Sequence, residues 1–222
     1  MANFTTFQHQ CPACGAPIEW HSKEIKVVTC SHCNNGLFLE DEQVKNLGIQ
    51  STLVQYPSLL KLFHLFHYQS DAMMPIGQVR FDYGRGFWDE WWVVNQKTKK
   101  SYWLSVDEGD YALEQPLNVA AFPPAKKGVA AVRHALHLNR KLQLQHDNGQ
   151  EETVQVSEMG EGVCIGFVGE LPELIHLGDR FQYAHLSGSE QRLYTIEISN
   201  DVIRLFQGIW IDPFLIKVQH HD

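Results

Sequence analysis

The chain reads as mainly β, a small N-terminal zinc ribbon followed by a β-barrel or β-sandwich domain built from hairpins. Three observations predict this. Four of its five cysteines form two Cys-x-x-Cys pairs separated by fifteen residues. Short alternating runs broken by glycine and aspartate fill the chain from Ile76 onward. A length of 222 residues with 44% hydrophobic and 11% aromatic content suits one medium domain plus a small module. The expected divisions are a ribbon over residues 1–42, a linker and first strand over 43–74, and the barrel or sandwich over 75–218.

The ribbon follows from the chemistry of its spacing. Two intervening residues let each cysteine pair wrap a tight turn and aim both sulfurs at one point, and two such turns complete the tetrahedron that zinc accepts from thiolates. Cys11-Pro12-Ala13-Cys14-Gly15 and Cys30-Ser31-His32-Cys33, with Gly36 soon after, have the form of rubredoxin-type knuckles. Pro17 to Trp20, Ile25 to Thr29 and Leu37 to Leu39 are the β-prone pieces between and after them. Cys11, Cys14, Cys30 and Cys33 are therefore expected to hold one structural Zn2+. Four thiolates leave no open coordination position, so the ion's task is to hold shape. So small a module buries little apolar area, and its folding should depend on the metal.

Charge and composition narrow the rest. A formal net charge of -8 repels phosphate backbones and anionic lipid surfaces. Over residues 9 to 40, Lys23 and Lys26 face Glu19, Glu24 and Glu40, a sum of -1 with no phosphate-binding face. The N-terminus has neither a basic start nor an apolar run, and no stretch approaches the roughly 18 apolar residues of a membrane span, so direct membrane insertion is not expected. Reduced thiols in a metal pattern fit the cytoplasm.

After the polar exit Glu40-Asp41-Glu42, the segment through Tyr56-Pro57-Ser58 and Phe63-His64-Leu65-Phe66 is a linker leading into a first strand. Gln78 to Tyr83 and Phe87 to Val94 flank Gly84-Arg85-Gly86 as one hairpin; Ser101 to Val106 and Tyr111 to Glu114 flank Asp107-Glu108-Gly109-Asp110 as a second. Thr153 to Val156, Gly162 to Val168, Arg180 to Tyr183, Leu193 to Ile198 and Val202 to Phe206 continue the style. Tyr102, Leu104, Val106, Leu113 and Gln115 share a frame with Tyr194, Ile196, Ile198, Leu205 and Gln207 at an offset of 92, which raises an internal duplication. The stretch from Lys126 to Lys141 is ambiguous between helix and strand and carries five basic residues without an acid.

Tryptophans concentrate near one hairpin. Strand alternation places Trp88 with Trp92 on one face and Trp91 on the other. Trp88, Glu90, Trp91, Trp92, Trp103 and Glu197 form the candidate ligand or partner surface, an aromatic platform beside acids able to hold a cation. Packing competes with that reading, and the bland expectation for Glu90 and Glu197 is a solvent face or hydrogen bonds to barrel backbone. Cys164 lies in an apolar strand as an ordinary buried thiol. His220-His221-Asp222 reads as a frayed tail.

Tyr56-Pro57-Ser58-Leu59-Leu60-Lys61-Leu62, Phe87-Trp88-Asp89-Glu90-Trp91, Tyr102-Trp103-Leu104, Glu158-x-Gly160, Gly169-Glu170-Leu171-Pro172, Ile196-Glu197 and Phe206-Gln207-Gly208 together resemble the bacterial family called domain of unknown function 4178. The family's usual glycines after the Pro-Ser-Leu-x-Leu segment are replaced here by Phe63 to Phe66. The resemblance implies a β-rich fold, no established reaction, and an accessory role in envelope-stress or polyamine-linked bacterial systems. No Ser-His-Asp arrangement, phosphate-cradling glycine loop or zincin motif is present. The expectation is a non-enzymatic adaptor that binds a protein partner. A nucleic-acid-associated ribbon, using Lys97, Lys99, Lys100, Lys126, Lys127 and Arg133, and an enzyme or binder for a small cationic metabolite are the alternatives.

Overall fold

A computed structural model describes residues 7–22, 24–40 and 43–218. Lys23, Asp41, Glu42 and the tail His220-His221-Asp222 lie outside the described residues.

The cysteine turns alternate with short strands. β1 (Phe7–Gln10) pairs antiparallel with β2 (Pro17–Trp20), and β3 (Val27–Thr29), β4 (Asn35–Glu40) and β5 (Gln43–Gln50) form a meander with Val27 opposite Phe38 and Leu39 opposite Val44. The segment 43–74 therefore carries more structure than a linker: β5 belongs to the ribbon sheet, and β6 (Phe66–Tyr68) turns directly into β7 (Asp71–Asp82). Phe63, standing where the family resemblance leads one to expect glycine, takes a φ of 61°, a left-handed conformation that L side chains adopt at a cost of about 1–2 kcal/mol.

Two four-stranded meanders make the main body. β7, β8 (Phe87–Asn95), β9 (Ser101–Asp107) and β10 (Asp110–Leu117) form the first. The second follows β11 (Lys141–Gln145) and consists of β12 (Glu151–Leu171), β13 (Arg180–Ser187), β14 (Arg192–Ser199) and β15 (Val202–Ile211). β10 pairs with β15 and β7 with β12, so the path of eight antiparallel strands returns to its start. Closure is staggered, which keeps it from being a clean barrel: β12 follows β13 up to Val163 and then crosses to β7 from Val163 to Gly169. Its last residues, Glu170 and Leu171, pair with Val28 and Val27 of β3, joining the ribbon to the ring. β16 (Ile216–Val218) caps β6.

The sequence suggested two strands where β12 is one. Its internal glycines read as breaks but accommodate rings instead: a Cβ on Gly160 would lie 2.6 Å from the Tyr183 hydroxyl, and one on Gly162 would strike the Trp88 ring. The ambiguous stretch after Lys126 resolves into 3-10 turns at Val119–Ala121 and Pro123–Lys127, the helix α1 (Val129–Ala135), and β11.

The ring buries apolar side chains on its outer face as well as its inner one, and its interior mixes aromatic rings with acids. Outward-facing Ala184, Leu186, Ile196, Ile198 and Leu205 pack beneath Phe122, Val132 and Leu136 of the helical segment. Outward-facing Trp91, Val93, Leu104 and Tyr111 pack beneath Leu60, Phe66, Tyr68 and Ile216. A third cluster joins Ile18, Trp20, Val27 and Leu37 of the ribbon to Val79, Phe81, Trp88 and Trp92 on the inward side of β7 and β8, so the ribbon stoppers one end of the ring. Each such fully buried large side chain is worth about 1.5–3 kcal/mol of transfer free energy.

Candidate metal centre and ligand cavity

The four cysteines converge. Their sulfurs all lie within 4.8 Å of one another, with Cys11 Sγ to Cys33 Sγ and Cys14 Sγ to Cys30 Sγ both 3.8 Å. A tetrahedron of thiolates about 2.3 Å from a central ion has edges of about 3.8 Å, so the donor set fits one metal ion. The knuckle turns are built by Gly15 N donating to Cys11 O at 2.8 Å and Asn34 N to Cys30 O at 2.9 Å. Asn35 Nδ2 donates to Cys33 Sγ at 3.2 Å and, with its backbone, lowers that thiol, while the neighbouring thiols raise Cys14. Cys164 is no part of this: it is buried elsewhere, and burial pushes its thiol up to about 12.

Inside the ring lies a cavity of about 260 Å³. Alternation delivers its lining: Trp88 and Glu90 from β8, Trp103, Ser105 and Asp107 from β9, Ala112 and Glu114 from β10, Phe181, Tyr183 and His185 from β13, Thr195 and Glu197 from β14, Arg204 and Phe206 from β15. Rings crowd one side. Trp88 lies 5.2 Å from Phe81, 5.9 Å from Phe181 and 5.5 Å from Tyr183, centroid to centroid.

Acids outnumber their partners there. Trp88 Nε1 and Ser105 Oγ donate to Glu90 Oε1 at 3.0 and 2.7 Å, yet burial and then the nearby Glu114 charge push the Glu90 carboxyl up to about 8. Burial also raises Glu114, against the hydrogen bond that Thr195 Oγ1 donates to its Oε1 at 2.6 Å. Glu197 is raised well above the carboxylate range by burial and by the Glu173 and Glu90 charges, with Arg204 opposing. Arg204 is itself bound to Glu173 at 2.7 Å. His185 Nδ1 sits 3.4 Å from Glu158 without a hydrogen bond; burial lowers the imidazole, but Glu158 and the surrounding carboxylates outweigh this and hold it above its usual value, while His185 and the Tyr183 hydroxyl hold Glu158 below its own.

Of the residues singled out from sequence, Trp88, Glu90, Trp103 and Glu197 line this cavity. Trp92 is packed in the ribbon-facing cluster with its ring 4.9 Å from Trp103, and Trp91 is buried on the outer face. The solvent-face expectation for Glu90 and Glu197 is overturned: both point into the cavity, and the bonds to Glu90 come from side chains. The reason is that the helical segment and the β6–β16 strands cover the outer face of these strands, which leaves Glu90 and Glu197 on the face that lines the cavity. Glu114, Glu173 and His185 were not foreseen, because nothing local marks a strand's inner face. The basic residues proposed for phosphate divide between the β8–β9 turn and the helical segment.

No helix of the described residues is long and apolar enough to cross a membrane. No curated protein and no solved structure matches the chain. The model of one family does match, over residues 68–213, which contain both meanders and the cavity and leave the ribbon outside. That is more than half of the chain, which therefore belongs to the family described as domain of unknown function DUF4178.

Proposed function

We propose that this chain is a non-enzymatic binding protein whose ring takes up a small aliphatic amine, with a zinc-loaded ribbon as its structural head. The observation that carries the reading is the cluster of Glu90, Glu114 and Glu197 on the cavity wall, one buried carboxyl and two half-buried ones, whose nearby cations, Arg204 and His185, are engaged by Glu173 and Glu158. A ligand cation supplies the missing charge, and the Trp88 and Phe181 rings receive its alkyl and ammonium parts. Among the described residues the four cysteines are the only cluster spaced to hold a metal ion, which favours an extended organic cation over a divalent one for the acids. The hydrogen bonds to Glu90 and Glu114 land on Oε1, leaving Oε2 to accept an ammonium N–H; a quaternary ammonium has no such donor. Bound zinc would supply shape to the ribbon and no chemistry to the cavity.

At about pH 7 an empty cavity keeps Glu90 protonated, so an arriving ammonium ion displaces that proton to solvent. Calorimetric titration with 1,4-diaminobutane in two buffers of different ionisation enthalpy should show proton release, and Glu90→Gln should weaken binding by about tenfold or more, or about 1.4 kcal/mol. Binding that is unchanged in Glu90→Gln and Glu197→Gln, or no binding of any amine, removes the reading.

A protein-adaptor role has its own support in Phe214, 94% exposed beside Leu215, an apolar pair suited to a partner. Pull-down with Phe214→Ser tests it: partners retained by that variant remove this surface. Placement in an envelope-stress or polyamine-linked bacterial system, in the cytoplasm, rests on the family resemblance and the thiol chemistry.

A further inference from the structure

We propose that metal binding at the four cysteines closes the ribbon end of the cavity, making the ribbon a metal-dependent stopper for the ligand site; this rests on the reading of that cavity as an amine site. Two routes connect the second knuckle to β12, whose last residue lines the cavity. In the first, Ser51 N donates to Asn34 O, the residue after Cys33, at 2.9 Å, and Phe167 N of β12 donates to Ser51 Oγ at 2.7 Å. Ser51 is 1% exposed, so the link is shielded from water. In the second, β3 runs into Cys30 and pairs with the last two residues of β12, while Lys26 N donates to Leu171 O at 2.8 Å.

Leu171 is itself a cavity residue, and the loop that follows it adds Glu173, Leu174, Ile175 and Asp179 to the wall. Glu170, at 1% exposure, fastens the joint by accepting a hydrogen bond from His21 N at 2.9 Å and meeting the His21 ring Nδ1. The ribbon strands are three to eight residues long and find their buried partners in the ring's own cluster. Their turns hold only while the thiolates are tied together. Release of the metal frees the knuckle carbonyl and β3, and with them the end of β12 and the 172–179 wall.

The test is hydrogen exchange on the full chain, metal-loaded and chelator-stripped, with 1,4-diaminobutane titrated into both. Stripping should speed exchange about tenfold or more over residues 7–50 and 164–179 while β9, β10 and β14 stay protected, and should weaken diamine binding about tenfold or more. Glu170→Gln keeps all four thiolates, so its cobalt-substituted form should show an unchanged thiolate charge-transfer band but faster exchange over 164–179. Continued protection of 164–179 after stripping overturns the coupling, and so does loss of protection across the whole ring, which would make the metal a global stabiliser. If the loaded protein takes no diamine, the amine reading falls, and the exchange arm still decides the coupling.

Discussion

Asp89 and Glu90 are neighbours on β8 that meet opposite fates. Asp89 points outward, where Arg80 Nε and Nη2 each donate to it at 2.8 Å in a bidentate pair. That guanidinium also donates to Val54 O at 2.8 Å and lies over the adjacent rings of Tyr56 and Phe87, 4.8 and 4.2 Å from their centroids, with Arg80 only 4% exposed. Every charge there has its complement, so the cluster is structural: it pins the Tyr56-Pro57 segment to the ring. Glu90 points inward among Glu114 and Glu197 with neutral donors alone. The fold tolerates it by keeping it protonated, a cost that makes sense where a ligand completes the charge. Burial is similar on the two faces, and the presence of a committed counter-charge separates them.

The comparison breaks first at Asp89. Asp89→Asn strands the Arg80 charge in a nearly dry site, and urea unfolding should show a loss of about 3–5 kcal/mol. A loss under about 1 kcal/mol would mean the pair is no more structural than a surface bridge.

Glu90→Gln should act in the opposite direction. The folded Glu90 carboxyl at about 8 stands above its ordinary 4.5, so its contribution to stability is fully present below about pH 4.5, is lost as pH rises toward about 8, and is flat above. At about pH 8.5 the variant should be the more stable by on the order of 1–3 kcal/mol, with the gap vanishing near pH 4. Thermal melts across that range check it, and a variant less stable than wild type at every pH would mark Glu90 as structural. Saturating 1,4-diaminobutane should flatten the wild-type profile in the same window. Smallest of all, Glu40→Gln removes the exposed partner of Lys45 and should leave the denaturation midpoint unmoved, showing that pairing matters only where water is excluded.

Local chemistry carried much of this into the sequence. The cysteine spacing names the metal site because each knuckle is closed by bonds within six residues, as in Gly15 N to Cys11 O. The hairpins at Gly84 to Gly86 and Asp107 to Asp110 are legible because turn residues and alternation act over a few positions. Alternation also separated Trp88 and Trp92 from Trp91. It had nothing to say about which face is inner. Ile196 and Ile198 flank Glu197, and an apolar face with polar neighbours ordinarily means apolar in and polar out. Here α1 and its flanking turns cover the outside of β13 to β15, and the usual assignment inverts.

By itself, then, the sequence determined a four-cysteine module ahead of a hairpin-built β domain, since spacing and period-two patterning are properties of contiguous residues. Only the tertiary structure decided that β12 would pair with β11, β13, β7 and the ribbon's β3, and that Glu90, Glu114 and Glu197 would share one cavity. Those acids come from β8, β10 and β14, far apart in the chain. Ring closure alone brings them together, and the desolvation that gives them their chemistry exists only once the ring is shut.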